Sequence, residues 1–153
     1  MAIHTVLTLV TENEQVLLGF KKRGFGQGLW NGFGGKVERG ERAEDAALRE
    51  LHEEAGLAGT RVKKVAEFSF SFADGSFGDI RMEAFRVPLW IGEPCESEEM
   101  RPQWFAFSEV PYEKMWDDDK LWMPRVFEGE SLAGSFTFDA GRVVRHELSA
   151  AVY

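Results

Sequence analysis

Glu50, Glu53 and Glu54 lie three and four residues apart. On a helix that spacing puts all three carboxylates on one face. Ala47, Leu48, Leu51 and Ala55 gather on another face, suited to packing on a core. Like charges at these spacings destabilise a helix by roughly 0.2–0.5 kcal/mol per pair. A chain that keeps such a conflict is expected to meet it with a compensating charge. A divalent cation is the natural candidate, because Mg2+ takes oxygen ligands from a few carboxylates and shares its other positions with phosphates. Taken alone, a glutamate pair near a helix end reads better as a solvated acidic face.

The wider pattern decides between these readings. Gly35, Glu41, Arg49, Glu50, Leu51, Glu53, Glu54, Gly56 and Leu57 fill every fixed position of GX5EX7REUXEEXGU, U being aliphatic, within Gly35–Leu57. In this the chain resembles the Nudix hydrolases. That resemblance implies a metal-dependent enzyme that cleaves a diphosphate linked to another moiety. It implies that Glu50, Glu53 and Glu54, with the Gly35 carbonyl, bind the metal, expected to be Mg2+ with Mn2+ as a substitute. Arg49 and Glu41 would form an orienting ion pair. Lys36 could reach a phosphate or stay a solvated turn lysine. The general base is left between Glu53 and Glu99, the latter in ESEEMRP outside the box.

Three further stretches, LLGFKKRGFGQGLWNGFGGKVERGE, EEMRPQWF and MWDDDKLWMP, narrow the resemblance. They are similar to the branch of that family that hydrolyses oxidised purine nucleoside triphosphates to a monophosphate and pyrophosphate. Position by position, this implies a purine pocket formed by Thr5, Lys21, Phe25, Asn31, Phe70, Trp116, Asp118, Asp119 and Trp122. The residue types suit the task. Trp116 can stack on a purine, Asn31 carries both a donor and an acceptor, and two adjacent acids can share a proton and read donor and acceptor edges alike. Asp117 stands where this branch has proline and is expected to cap the helix that follows. The loop ADGSFGD is longer than the resemblance predicts. Two alternatives stay open: hydrolysis of another nucleoside diphosphate derivative, and a non-catalytic nucleotide-binding module.

The 153 residues are expected to form a single domain, 1–153. A net charge of −8 disfavours polymeric nucleic acid as a partner, but not a small nucleotide held by local cations. No apolar run is long enough to span a membrane, and the N-terminal stretch lacks the marks of a signal peptide. With Cys95 as the sole cysteine, no internal disulfide can form. These features point to a cytoplasmic monomer acting on a small molecule.

The elements that must position the site follow from periodicity. Strands are expected at Thr5–Val10 and Gln15–Lys21, with an ordered glycine-rich loop and a short strand near Trp30–Phe33. The helix is expected at Ala43–Ala55 with Gly56 as its stop. Further strands are expected at Val62–Phe72, Ile80–Val87 and Arg101–Phe107, with Pro88–Glu99 a loop. A late helix should follow the aspartates, and a hairpin of Gly134–Phe138 and Arg142–Leu148 should close the chain. Periodicity supports an α+β class; the αβα sandwich around a mixed sheet is what the resemblance implies.

Overall fold

A computed structural model of the chain describes residues 2–153. Nine strands form one mixed sheet: β1 (Ile3–Glu12), β2 (Gln15–Lys21), β3 (Trp30–Asn31), β4 (Phe33–Lys36), β5 (Ala58–Phe72), β6 (Ile80–Ile91), β7 (Met100–Ala106), β8 (Leu132–Asp139) and β9 (Arg142–Ala150). Two α-helices, α1 (Ala43–Ala55) and α2 (Asp119–Phe127), complete the fold. The main path runs β3-β2-β1-β6-β5-β8-β9, with β4 paired to β1 and β7 to β2. Pairing is parallel between β1 and β6 and between β5 and β8, and antiparallel elsewhere.

Alternation along β1 explains the layers. Val6 and Val10 point to the side of α1, where Ala46, Ala47, Leu51 and Ala55 are buried against them, Phe85 and Val87. Leu7 and Leu9 point the other way, into a larger core with Phe68, Phe136 and the α2 residues Trp122, Met123 and Val126. The helices therefore lie on opposite faces of the sheet, as the sandwich expectation requires. Fully burying one such aliphatic or aromatic side chain contributes roughly 1.5–3 kcal/mol, so both faces are strongly specified.

The helix of the glutamates spans the expected Ala43–Ala55. It ends because Gly56 adopts φ 73°, a left-handed conformation that costs glycine little. Its start has no side-chain cap from Arg42, but Glu44 and Asp45 sit in the first turn, where the helix dipole favours acids.

Two expectations need correction. Pro88–Ile91 belongs to β6 rather than to a loop, and pairs with the start of β5. Register shifts between Arg61 and Lys63 place Pro88 at a bulge, where a missing N–H is tolerated. The segment after Arg101–Ala106 forms two short 3-10 turns, Phe107–Glu109 and Tyr112–Lys114, in keeping with the short turn or helix that SEVPYEKMW suggests. The expected aspartate cap of α2 is absent: Asp118 occupies the capping position in a helical conformation without a capping side-chain bond. The carboxylates of Asp117 and Asp118 are engaged elsewhere, as described below.

Candidate active site

One cavity of about 480 Å3 opens beside β1, with chemically different ends. Lys21, Gly34, Gly35, Lys36 and Glu54 line one end, and Trp116, Asp118, Asp119 and Phe138 line the other. Thr5, Phe25, Asn31 and Phe70 also line it.

The carboxylate end is built by α1 lying across β4. Glu50 rests against Gly35 so closely that a Cβ there would stand 2.6 Å from its carboxylate oxygen, so any larger residue would displace the Glu50 carboxylate. Glu54 is not part of a solvated face. It is buried, and its Oε1 accepts the Gly34 N–H at 2.8 Å. Burial, reinforced by the charges of Glu50 and Glu99, pushes its carboxyl up to about 7. Burial also raises Glu50, against the pull of Arg49. Glu53 is the exposed member, its side chain 56% accessible.

Arg49 organises this end. Its Nε and Nη2 donate to both Glu41 carboxylate oxygens at 2.8 and 3.0 Å, and Nη1 donates to Glu50 at 2.8 Å and Glu53 at 3.4 Å. A further bond to the Lys36 carbonyl ties α1 to β4. This fork holds the Glu41 carboxyl down to about 2. The ion pair implied by the resemblance is therefore formed, and it extends to two of the three helix glutamates. Lys21 reaches over from β2, 3.2 Å from Glu99 and 4.0 Å from Glu54. Glu99 thus stands at the rim, bound to a lysine that lines the cavity.

The oxygen donors suit a hard divalent cation. Two neighbouring carboxyls with raised proton affinity are groups that a cation would stabilise in the charged form. Among the described residues, however, no three His, Cys, Asp or Glu side chains converge into a ready-made cage.

The opposite end comes from the turn that starts α2. Asp118 and Asp119 are buried, 4% and 3% exposed. Asp118 Oδ2 accepts the Trp122 indole N–H at 2.8 Å, and burial pushes its carboxyl up to about 6. Asp119 lies well above the ordinary carboxylate range, through burial and then the charge of Asp118. Asp119 Oδ2 has no hydrogen-bond partner although buried. Such an orphan costs about 1–3 kcal/mol unless a ligand satisfies it. The Tyr112 hydroxyl is a second buried orphan, pushed up to about 12 by burial and then by Asp119.

Trp122 corrects an expectation. It is fully buried in the core and does not line the cavity, so it supports Asp118 rather than forming a pocket wall. Trp116 does line the cavity, but one face is taken: Phe25 stacks on it at 5.1 Å and 22°. Asn31 Oδ1 accepts the Gly32 N–H at 2.9 Å, which fixes the orientation of its amide. Thr5 Oγ1 is 3.4 Å from the Arg81 carbonyl, and Lys36 is exposed at the cavity mouth.

Sequence reasoning missed the apolar walls Ile3, Phe72, Phe77, Ile80, Met82 and Phe138. Alternation marks Phe72 and Phe138 as inward-facing, but the convergence of Ile3 with Ile80 follows from the parallel pairing of β1 with β6, which no local pattern encodes.

A family model described as "NUDIX domain" matches residues 2–126. The chain is 47% identical over 143 residues to a zebrafish (Danio rerio) protein named oxidized purine nucleoside triphosphate hydrolase, covering 93% of this chain and 91% of that one. It is 48% identical, with the same coverage, to the mouse (Mus musculus) protein of that name. Among solved structures, the MutT protein of Bacillus halodurans superposes with a TM-score of 0.84 at 25% identity, over 96% of this chain and 97% of the other.

Proposed function

Because the chain belongs to the Nudix hydrolase family, we propose that it hydrolyses oxidised purine nucleoside triphosphates, of the 8-oxo-dGTP and 2-hydroxy-dATP type, to the monophosphate and pyrophosphate. Such an activity would clear damaged precursors from the nucleotide pool. The observation that carries this reading is the buried acid pair Asp118–Asp119 lining the cavity whose far end holds Glu54 and Lys21. A base satisfies the acids while its phosphates reach the glutamates.

Each residue has a task. Oxidation of a purine at carbon 8 turns the adjacent ring nitrogen from acceptor to donor. An ionised carboxylate accepts that hydrogen, while a protonated neighbour donates to a carbonyl. Two close buried acids cannot both ionise easily, so the pair supplies both functions at once. Phe70 and Trp116 bound the base, and Asn31 and Thr5 offer polar groups at its edge. Lys21 and Lys36 bring positive charge to the phosphates.

Nudix hydrolases generally need divalent metal; here we propose Mg2+, with Mn2+ able to replace it, held by Glu50, Glu53, Glu54 and the Gly35 carbonyl. When bound, the ion neutralises phosphate oxygens and acidifies water. Arg49 holds Glu50 and Glu53 in register, and Glu41 holds Arg49. Water attacks the second phosphorus from the nucleoside, and the bond from that phosphorus to the bridging oxygen breaks. Glu53 and Glu99 are the two candidates to take the proton. A single domain acting as a cytoplasmic monomer completes the reading; among the described residues no helix is long and apolar enough to cross a membrane.

The test is a nucleotide panel with Mg2+, following pyrophosphate and phosphate release. Oxidised purine triphosphates should be turned over in preference to normal ones, sugar nucleotides and dinucleoside polyphosphates. A preference for any of the last two would overturn the substrate assignment. In 18O water the label should enter pyrophosphate; label in the monophosphate would place the attack on the first phosphorus instead.

A further inference from the structure

Asp117 immediately precedes the buried acids, yet it does not line the cavity. Its Oδ2 accepts the Val143 N–H of β9 at 2.8 Å, and its Oδ1 accepts from Lys120 Nζ at 3.0 Å. Val143 lies beside a register shift in the closing hairpin: Phe138 pairs with Val143, but Thr137 pairs with Arg145. One extra residue on β9 bends that strand at this point.

The same hairpin is tied to the other side of the cavity. The Ala73 N–H donates to the Phe138 carbonyl at 2.8 Å, and the Ala140 N–H donates to Asp74 Oδ2 at 2.9 Å. Phe138 also meets Trp116 edge-on, with ring centroids 6.3 Å apart. The β8–β9 hairpin is thus a strut between two loops that bear cavity walls, 73–79 and 116–119. On the second loop, the only side-chain hydrogen bond to the strut among the described residues is that of Asp117. A charge-assisted bond to a backbone N–H is about twice as strong as a neutral one. The Val143 N–H also holds the Asp117 carboxyl low, while its charge adds to the effects that keep Asp118 high.

We propose that Asp117 is a positioning residue of the base site: by anchoring the 116–119 turn to β9, it sets where Trp116 and the Asp118–Asp119 carboxylates meet a purine. This rests on the nucleotide reading above, and its test separates the two. Asp117→Ala removes the anchor; Asp117→Asn keeps an oxygen that can accept from Val143. Asp117→Ala should raise KM for an oxidised purine triphosphate about tenfold and leave kcat within about twofold, the pattern of lost binding common to ground and transition states. Asp117→Asn should restore KM to within about threefold of wild type. In ligand-free protein, Asp117→Ala should also move the Trp122 indole N–H resonance, because that group donates to Asp118. If Asp117→Ala does not fold, Asp117→Ser, too short to reach Val143, gives the same comparison. A variant that loses thermal stability but keeps KM and the indole resonance would overturn the proposal. A wild-type protein without turnover would overturn the nucleotide reading, and the indole resonance would still decide for or against Asp117.

Discussion

Two acidic clusters face each other across one cavity, and they are built on opposite principles. On α1, Glu50, Glu53 and Glu54 are interleaved with positive charge: Arg49 contacts two of them and Lys21 approaches the third. At the start of α2, Asp118 and Asp119 are buried without a salt bridge to a cation among the described residues, and Asp118 accepts from the neutral Trp122 indole. The first cluster has cations beside it and is open to a metal, which would hold Glu50 and Glu54 in the charged form against the burial that raises them. The second must hold a proton, so it behaves as a hydrogen-bonding pair. Environment, not residue type, assigns the roles.

This contrast can be broken at either end. The largest effect is expected from Glu54→Gln. Glutamine keeps an oxygen for the Gly34 N–H but loses the charge. Turnover should fall about a thousandfold or more, beyond the 10–100-fold typical of groups that only orient ligands, with the far-ultraviolet dichroism spectrum unchanged. Unchanged turnover at saturating Mg2+ would remove Glu54 from the metal site.

Next, Asp119→Asn should lower kcat/KM for the oxidised substrate by roughly one to three orders of magnitude, because asparagine cannot ionise, so the charge-assisted bond and the shared proton of the pair are lost. Metal affinity, measured by titration calorimetry, should barely change. If preference for oxidised over normal purine survives, base reading lies elsewhere in the cavity.

Trp122→Phe sharpens the correction made above. It removes the donor to Asp118 while keeping most of the aromatic volume. Acting through Asp118, it should cost about tenfold or less in kcat/KM, near the value of one buried hydrogen bond, and leave the substrate ranking intact. A loss of ranking equal to that of Asp119→Asn would restore Trp122 as a direct contact.

The smallest effect concerns stability. Asp118 sits at about 6 against an ordinary 3.8, and Asp119 is raised as well. The folded chain therefore holds these protons more tightly than the unfolded chain. Their contribution to stability is fully present below about pH 4 and is lost as pH rises through 6. Asp119→Asn removes part of that loss. Its Tm relative to wild type should improve between pH 4 and 7.5 by roughly 2–4 °C, the equivalent of about 1 kcal/mol at this size. A difference independent of pH would show that the acids titrate normally.

The α1 site was legible in the sequence because it is local. Nine fixed positions lie within Gly35–Leu57, helical spacing brings the glutamates together, and Gly56 marks the stop. Even there, sequence grouped Glu54 with Glu50 and Glu53 and did not show that it is buried. Its burial against Gly34 depends on β4 pairing with β1, a contact between segments far apart in the chain. At the second cluster, three consecutive aspartates are indistinguishable as letters. Tertiary structure separates them: Asp117 turns to Val143, Asp118 to Trp122, and Asp119, which lines the cavity, keeps one buried oxygen unpaired. Local chemistry and spacing thus determined the hydrolytic helix and the identity of the acids. Which acid keeps a proton, and which walls surround the base, was decided by desolvation and by the pairing of distant strands, because both depend on what the rest of the chain packs against each side chain.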